Sequence, residues 1–344
     1  MLESISRPKS IGESNARCHF VAIAVGGSAR GWRRYDHAMT RRCTAIGILM
    51  MTVTALVAAG DTSSTPSKAT ADAAVKAIQK DRADTEKWLR SDPTSYLAAV
   101  ARTNFEGRKM LTVGRADDND VRLQSADVAA HHLRVTVEGA QFHVQAVDSG
   151  AQFKVGEKQQ RDATVGPSRL GIGRFFLRLS HQNFPAIIVF DPTSPRFKEY
   201  KGLKYFPIDL AYRYELALVP NPKREPVVIM STQGSPRKGV RAGWFDFVVG
   251  GTPARVEVTR LLEPGVGEND LSIFFRDATS GNASYGFGRY VDPVKQANGR
   301  YVVDFNMAYN PACAFSDYYN CPVPPKENNL RVAIRAGEMD SHYH

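Results

Sequence analysis

The chain has 344 residues and a formal net charge of +10, with 45 Lys and Arg against 35 Asp and Glu. No block of Lys and Arg interleaved with aromatics occurs, so the basic balance argues against a nucleic-acid surface. Half of the excess sits in residues 1–60, which hold eight Lys/Arg and three Asp/Glu; the remaining 284 residues carry +5, a mildly basic solvated surface.

Residues 39–59 read as an export signal. Met39 is followed by Arg41 and Arg42, no charge occurs from Cys43 to Ala59, and the run closes on Val57-Ala58-Ala59-Gly60. Basic start, apolar middle and small-residue end are the three parts of a secretory signal. A membrane span needs about 20 apolar residues. This run is shorter and diluted by Thr44, Thr52 and Thr54, which leaves a retained anchor as the alternative reading. Residues 1–38 lack periodicity and read as an upstream extension before a true start at Met39. The mature chain is expected to begin near Gly60, to keep no membrane span, and to be periplasmic or secreted.

Residues 60–70, rich in Thr, Ser and Pro, read as a flexible linker. Residues 71–104 form a helical lead-in. Ala, Lys, Gln and Glu dominate residues 71–90, Val75, Ile78, Trp88 and Leu89 are the apolar members, and Asp92-Pro93 stops the helix.

From about residue 97 the pattern turns to strands. Tyr212, Tyr214, Leu216 and Leu218 alternate with other residues, as do Leu271, Ile273 and Phe275, then Tyr301, Val303 and Phe305, then Val332, Ile334 and Ala336. Period two at short spacing predicts antiparallel sheets. Asn298-Gly299, between Tyr290-Val291 and Tyr301-Val302-Val303, is a hairpin signal. Asp191-Pro192-Thr193-Ser194-Pro195 divides two β units, 105–190 and 191–338, with 339–344 as a tail. The fold class expected is mainly β: an N-terminal helix, a β-sandwich, then an antiparallel meander or barrel.

The first β unit carries Leu111-Thr-Val-Gly-Arg115, then Asn119-Asp120-Val121, then Ala129-Ala130-His131-His132. This resembles the forkhead-associated (FHA) pattern, in which Gly114, Arg115, Asn119, Asp120 and His132 match. The resemblance implies an FHA-like β-sandwich. It also implies phosphothreonine held by the Arg and by a Ser of the second motif, as charge-assisted bonds would allow. Here the Ser-Arg positions are Ala129 and Ala130, so no phosphothreonine peptide is expected, and His132 is expected to be structural.

The C-terminal text is the more distinctive. It runs Phe274-Phe-Arg-Asp-Ala-Thr-Ser-Gly281, Tyr285-Gly-Phe-Gly-Arg-Tyr290, Val303-Asp-Phe-Asn-Met-Ala-Tyr-Asn-Pro-Ala-Cys313, Cys321-Pro-Val-Pro-Pro-Lys-Glu-Asn-Asn-Leu330 and Ala336-Gly-Glu338. With Lys201-Gly202-Leu203, Phe206-Pro207 and the Trp88 helix, it resembles the bacterial and archaeal family of domain of unknown function 1684. The resemblance implies no activity or catalytic residues; many members look exported.

Read from the residues alone, the C-terminal unit offers one candidate region. Asp277, Asp304 and Glu327 would converge with Arg276, Arg289 and Asn306 in a barrel mouth, beside the long loop Asn310–Asn328 that Pro residues and Cys313–Cys321 would pin. Cys18 and Cys43 precede the mature start, so the remaining even pair reads as a disulfide. A zinc site would need four ligands, and no His lies within ten residues of either Cys; no metal or cofactor is expected. Three carboxylates among Arg and Asn permit acid–base chemistry, and they equally permit strand-end ion pairs and turn caps. The function expected is non-catalytic binding of a small ligand or an envelope partner through the C-terminal unit; a hydrolase using the same residues is the alternative.

Overall fold

A computed structural model of the chain describes residues 67–343 with the exception of Arg224. The upstream extension, the export signal and most of the linker lie outside the described residues.

Helix α1 (Lys68–Ser91) starts inside the expected linker. It buries one stripe, Ile78, Thr85 and Leu89, and leaves its charged face wet. Pro93 ends the helical run; the Asp92 amide donates to Trp88 O, and the Asp92 carboxylate accepts from the Thr94 amide. Glu86 ties the helix down by accepting from Tyr200 Oη at 2.7 Å and from the Leu203 amide at 3.1 Å.

The sandwich has eleven strands: β1 (Ala99–Asn104), β2 (Met110–Gly114), β3 (Val121–Arg122), β4 (Leu133–Glu138), β5 (Gln141–Ala146), β6 (Phe153–Val155), β7 (Lys158–Gln160), β8 (Asp162–Val165), β9 (Arg169–Ile172), β10 (Phe175–His181) and β11 (Pro185–Phe190). One sheet runs β1-β11-β10-β9-β6-β7 and the other β3-β2-β4-β5-β8. Leu133 and Val135 alternate with Arg134, and Phe142 and Val144 with His143, so this second sheet turns one apolar face inward, onto Leu170, Ile172, Leu177 and Leu179 of the first. β1 corrects the expected boundary: the second half of the lead-in is a strand, paired with β11 from Ala99↔Phe190 to Asn104↔Ala186.

Ala186-Ile187-Ile188-Val189-Phe190 does not alternate, because both faces of β11 are covered. Ile187 and Val189 enter the sandwich core. Ile188 and Phe190 join a second cluster with Leu89, Tyr96, Ile229, Phe274, Tyr290, Phe315 and Tyr319. That cluster packs the sandwich against the C-terminal unit, and Lys68–His344 is one compact body.

The C-terminal unit contains β12 (Arg213–Leu216), β13 (Val219–Pro220), β14 (Pro226–Met230), β15 (Pro236–Val249), β16 (Thr252–Leu261), β17 (Ile273–Phe275), β18 (Arg289–Val291), β19 (Val294–Lys295) and β20 (Tyr301–Asp304). They form the sheets β12-β20-β19 and β13-β15-β14, with β16 beside β15, and the pair β17-β18. All are antiparallel, as expected, but no closed barrel forms. The Asn298-Gly299 turn does make a hairpin, with β19 rather than Tyr290-Val291 as its first strand.

The expected strand at 331–336 is absent among the described elements, although Ile334 and Ala336 are fully buried. Its backbone groups are bonded by side chains instead: the Ile334 amide donates to Asp277 Oδ2, and Ile334 O and Ala336 O accept from Arg289. A segment whose ladder bonds are already taken cannot close a barrel.

Candidate functional site

Asp277 follows β17 and Arg289 opens β18. Their side chains have no exposed surface and meet at 3.4 Å. Asp277 also accepts from Thr279 Oγ1 at 2.9 Å and Ser280 Oγ at 3.2 Å. Arg289 donates to Ile334 O at 2.8 Å and Glu338 O at 3.2 Å, and its guanidinium lies 5.2 Å from the Phe275 ring centroid. Burial pulls the Arg289 pKa below its usual value, with Asp277 opposing the shift. The pair is a clamp on the strap 334–338.

Three asparagines behave alike. A primary amide carries the same donor and acceptor as a peptide group, so a buried Asn can stand in for a missing strand. Asn306 receives the Asp209 amide at 2.9 Å and donates to Asp209 O at 2.8 Å. Asn328 receives the Glu257 amide at 2.6 Å and donates to Glu257 O and Phe274 O. Asn310 donates its side chain to Met339 O, while its backbone amide donates to Glu338 Oε2.

Asp304 caps the turn 305–307, accepting from the Asn306 amide at 3.0 Å and side chain at 2.9 Å, with Arg213 at 3.4 Å. Burial raises its pKa against the hydrogen bonds from Asn306 and the charge of Arg213. Glu327 and Arg276 are exposed; Arg276 contributes its backbone, which bonds Asn328 O and the Leu330 amide.

The structure therefore brings Asp277, Arg289 and Asn310 together around the strap and joins Asp304 to Asn306 in a turn apart from them. The barrel mouth that was to assemble them does not exist. The loop Asn310–Asn328 is not an open rim either: Asn310 to Ser316 and Tyr319 to Pro322 are buried between the two halves of the body.

Cys313 and Cys321, the pair expected as a disulfide, lie side by side in this loop. Both are buried, and the Cys313 amide donates to Cys321 Sγ at 3.3 Å. Burial alone would raise the Cys321 pKa, but donors from Cys313 and the charge of Arg237 outweigh it and hold the thiol low.

Sequence reasoning missed five charged residues that are buried or partly buried. Arg237 and Glu263 pair at 2.9 Å, with side-chain exposures of 0% and 6%. Arg241 pairs with Glu257, and Glu338 anchors Asn310. Arg237 left a trace: it sits at an inward position of β15, between exposed Pro236 and Lys238. Glu257 and Glu338 left none, since Glu257 pairs with Arg241 16 positions away and Glu338 accepts from the Asn310 amide 28 positions away.

In the sandwich the FHA-pattern residues hold the loops at one end. A side chain on Gly114 would place Cβ 2.2 Å from Ala130 O. Asn119 donates to Ala116 O and Ala130 O, both at 2.9 Å. His132 is buried, accepts the Ala129 amide at 3.0 Å and bonds Gln152 O at 2.8 Å. Asp120 accepts the Thr112 amide at 2.8 Å and pairs with Arg108. Arg115 is exposed and donates to Val128 O at 3.2 Å. Among the described residues no three His, Cys, Asp or Glu form a metal-ligand set, and no helix is long and apolar enough to cross a membrane.

This geometry is that of an FHA-like β-sandwich fused to an all-β unit clasped by buried polar side chains. The profile described as FHA domain matches residues 111–174, and that described as Protein of unknown function (DUF1684) matches residues 198–339. The chain belongs to the DUF1684 family. An uncharacterised protein of Haloarcula marismortui, solved by NMR, is 30% identical over 43% of this chain and 80% of that one, with a TM-score of 0.35. The FhaA FHA domain, solved with the intracellular domain of Rv3910, is 14% identical over 25% of this chain and 96% of that one, with a TM-score of 0.19. EmbR of Mycobacterium tuberculosis, solved with a low-affinity phosphopeptide, is 20% identical over 37% of this chain and 32% of that one, at the same TM-score of 0.19. No curated protein matches the chain.

Proposed function

We propose that the chain is an exported, non-catalytic binding protein that docks an envelope partner on the outer face of its β14-β15-β16 sheet. The observation that carries this is a run of exposed apolar side chains on adjacent rungs. Val228 faces Lys238, Met230 faces Pro236, and the Leu262 amide bonds Lys238 O, so the three strands present one surface. Val228 is 68% exposed, Met230 48% and Leu262 39%. Single exposed apolar residues are ordinary, whereas neighbouring ones mark interaction surfaces. Lys238 and the half-buried Arg260 give the face a positive character, which suits a partner that is apolar at its centre and acidic at its rim.

Support for export is the pattern at residues 39–59: Arg41 and Arg42, an uncharged apolar run, and small residues at its end. Support for a non-catalytic role is that Asp277 and Asp304 already have structural partners, while Glu327 stands apart in solvent. The FHA-like end is not the recognition surface in this reading, since Ala129 and Ala130 supply neither hydroxyl nor charge.

The test is a photo-crosslinking residue at position 228 in the native host. One discrete envelope protein should be captured, and Met230→Asp should abolish that adduct. Unchanged capture with Met230→Asp would refute the docking face.

A further inference from the structure

Two arginines straddle one residue on the outward face of the first sandwich sheet. Arg102 on β1 and Arg178 on β10 both pair with Ile188 on β11, so their side chains emerge on the same face, either side of it. Like charges on neighbouring strands repel. A third guanidinium meets them from the C-terminal unit: Arg237 is fully buried and donates to Ser231 Oγ and Asn320 O. Glu263 is the carboxylate paired with this group. Three guanidinium groups thus share one carboxylate, with Arg102 also donating to Asn104 Oδ1 at 2.8 Å and Tyr318 O at 3.3 Å. Arg102 registers the imbalance: burial, then Arg237 and Arg178, lower its pKa to about 10, with Cys321 opposing.

Between the two halves of the body lies a cavity of about 10 Å³, bordered by Arg102, Arg178, Gln182, Tyr319 and Cys321. That volume accommodates one particle of about the size of a water molecule. Tyr319 is 5% exposed, and its hydroxyl is buried with no hydrogen-bond partner among the described residues. Gln182 Oε1 is in the same condition. The side chain of the half-buried Arg178 makes no hydrogen bond among the described residues, though its charge acts on Glu263. A buried donor without a partner is costly, and a buried excess of charge more so.

We infer that this cavity is a binding site for a single monatomic anion of the halide class, held by the guanidinium groups of Arg102 and Arg178 and the Tyr319 hydroxyl. Charge selects the anion over water: water would satisfy Tyr319 but leave the guanidinium excess uncompensated. Size selects a monatomic ion over phosphate or sulfate. A half-turn of the Gln182 amide replaces its acceptor with the Nε2 donor. Arg102 and Arg178 come from the sandwich and Tyr319 from the C-terminal loop, so the ion bridges the two halves and stabilises their docking.

The experiment compares the purified full chain in sodium gluconate and in sodium bromide at equal ionic strength, and crystals grown from bromide. Bromide should raise the Tm saturably, by roughly 2–4 °C for each tenfold-scale gain in folding equilibrium that ligand binding provides. An anomalous peak should appear within hydrogen-bonding distance of Tyr319 Oη. Arg178→Gln should lose both, and Tyr319→Phe, which removes only the hydroxyl, should weaken both if the first variant folds poorly. A water without anomalous signal at this position, an equal bromide response in both variants, or an equal response of the wild type to sulfate would each overturn the proposal.

Discussion

Asp277 and Arg289 form an ion pair of 3.4 Å whose side chains have no exposed surface, and both direct further hydrogen bonds at the backbone of residues 334–338. The pair takes the place of a strand ladder. Breaking a buried pair strands the surviving charge at a cost of about 3–5 kcal/mol. Asp277→Asn should therefore lower the unfolding free energy by about that amount in urea titrations. An unchanged midpoint would show that the clamp does not hold the strap.

The FHA-pattern residues separate fold from ligand chemistry. Gly114→Ala should destabilise the sandwich severely, because the new Cβ would sit 2.2 Å from the backbone oxygen of Ala130. Arg115→Ala should leave stability within about 0.5 kcal/mol, as for an exposed surface change. The wild-type chain should not saturate with a phosphothreonine peptide at micromolar concentration. Saturable binding abolished by Arg115→Ala would show that Ala129 and Ala130 had not ended phosphopeptide recognition.

That contrast also explains what could be read from the sequence. Gly114, Asn119 and His132 act within about twenty positions of each other, so their packing role leaves a compact signature. The buried polar contacts of the C-terminal unit do not. Asn328 serves Glu257, 71 positions away, and Arg237 serves Asn320, 83 positions away. The alternation of Val332, Ile334 and Ala336 reported burial correctly, since Ile334 and Ala336 are fully enclosed. It could not report that side chains would take over the backbone bonds of that segment. The same gap turned Asp277, Asp304 and Asn306 into an imagined barrel mouth beside the loop Asn310–Asn328, when each of these three clasps or caps a piece of backbone.

Asp191 sets an acid-sensitive joint at the end of the sandwich. Burial alone would raise its pKa, but hydrogen bonds from Arg174 and Thr193 prevail and hold it below the usual 3.8. A folded-state pKa below the unfolded one contributes stability that is present above the unfolded value and is lost as pH falls through the folded value. Arg174→Gln should reduce stability near neutral pH and make the fall below about pH 4 shallower. Urea midpoints measured from neutral to acid pH would check this; parallel curves for the two proteins would contradict it.

Cys313 and Cys321 lie side by side, and export would carry them into an oxidising compartment. The mature protein isolated from the envelope should therefore contain no free thiol until reduced, and its Tm should fall on reduction. Two thiols titrating in the unfolded, unreduced protein would argue against the disulfide and weaken the case for export.

Site-specific photo-crosslinking in the native host tests the binding account most directly, with probes at Val228 on the β14 face and at Arg115 on the FHA-like end compared side by side. The account predicts one discrete envelope partner at position 228, lost with Met230→Asp, and no specific adduct at position 115. A specific adduct at position 115 with none at position 228 would contradict it.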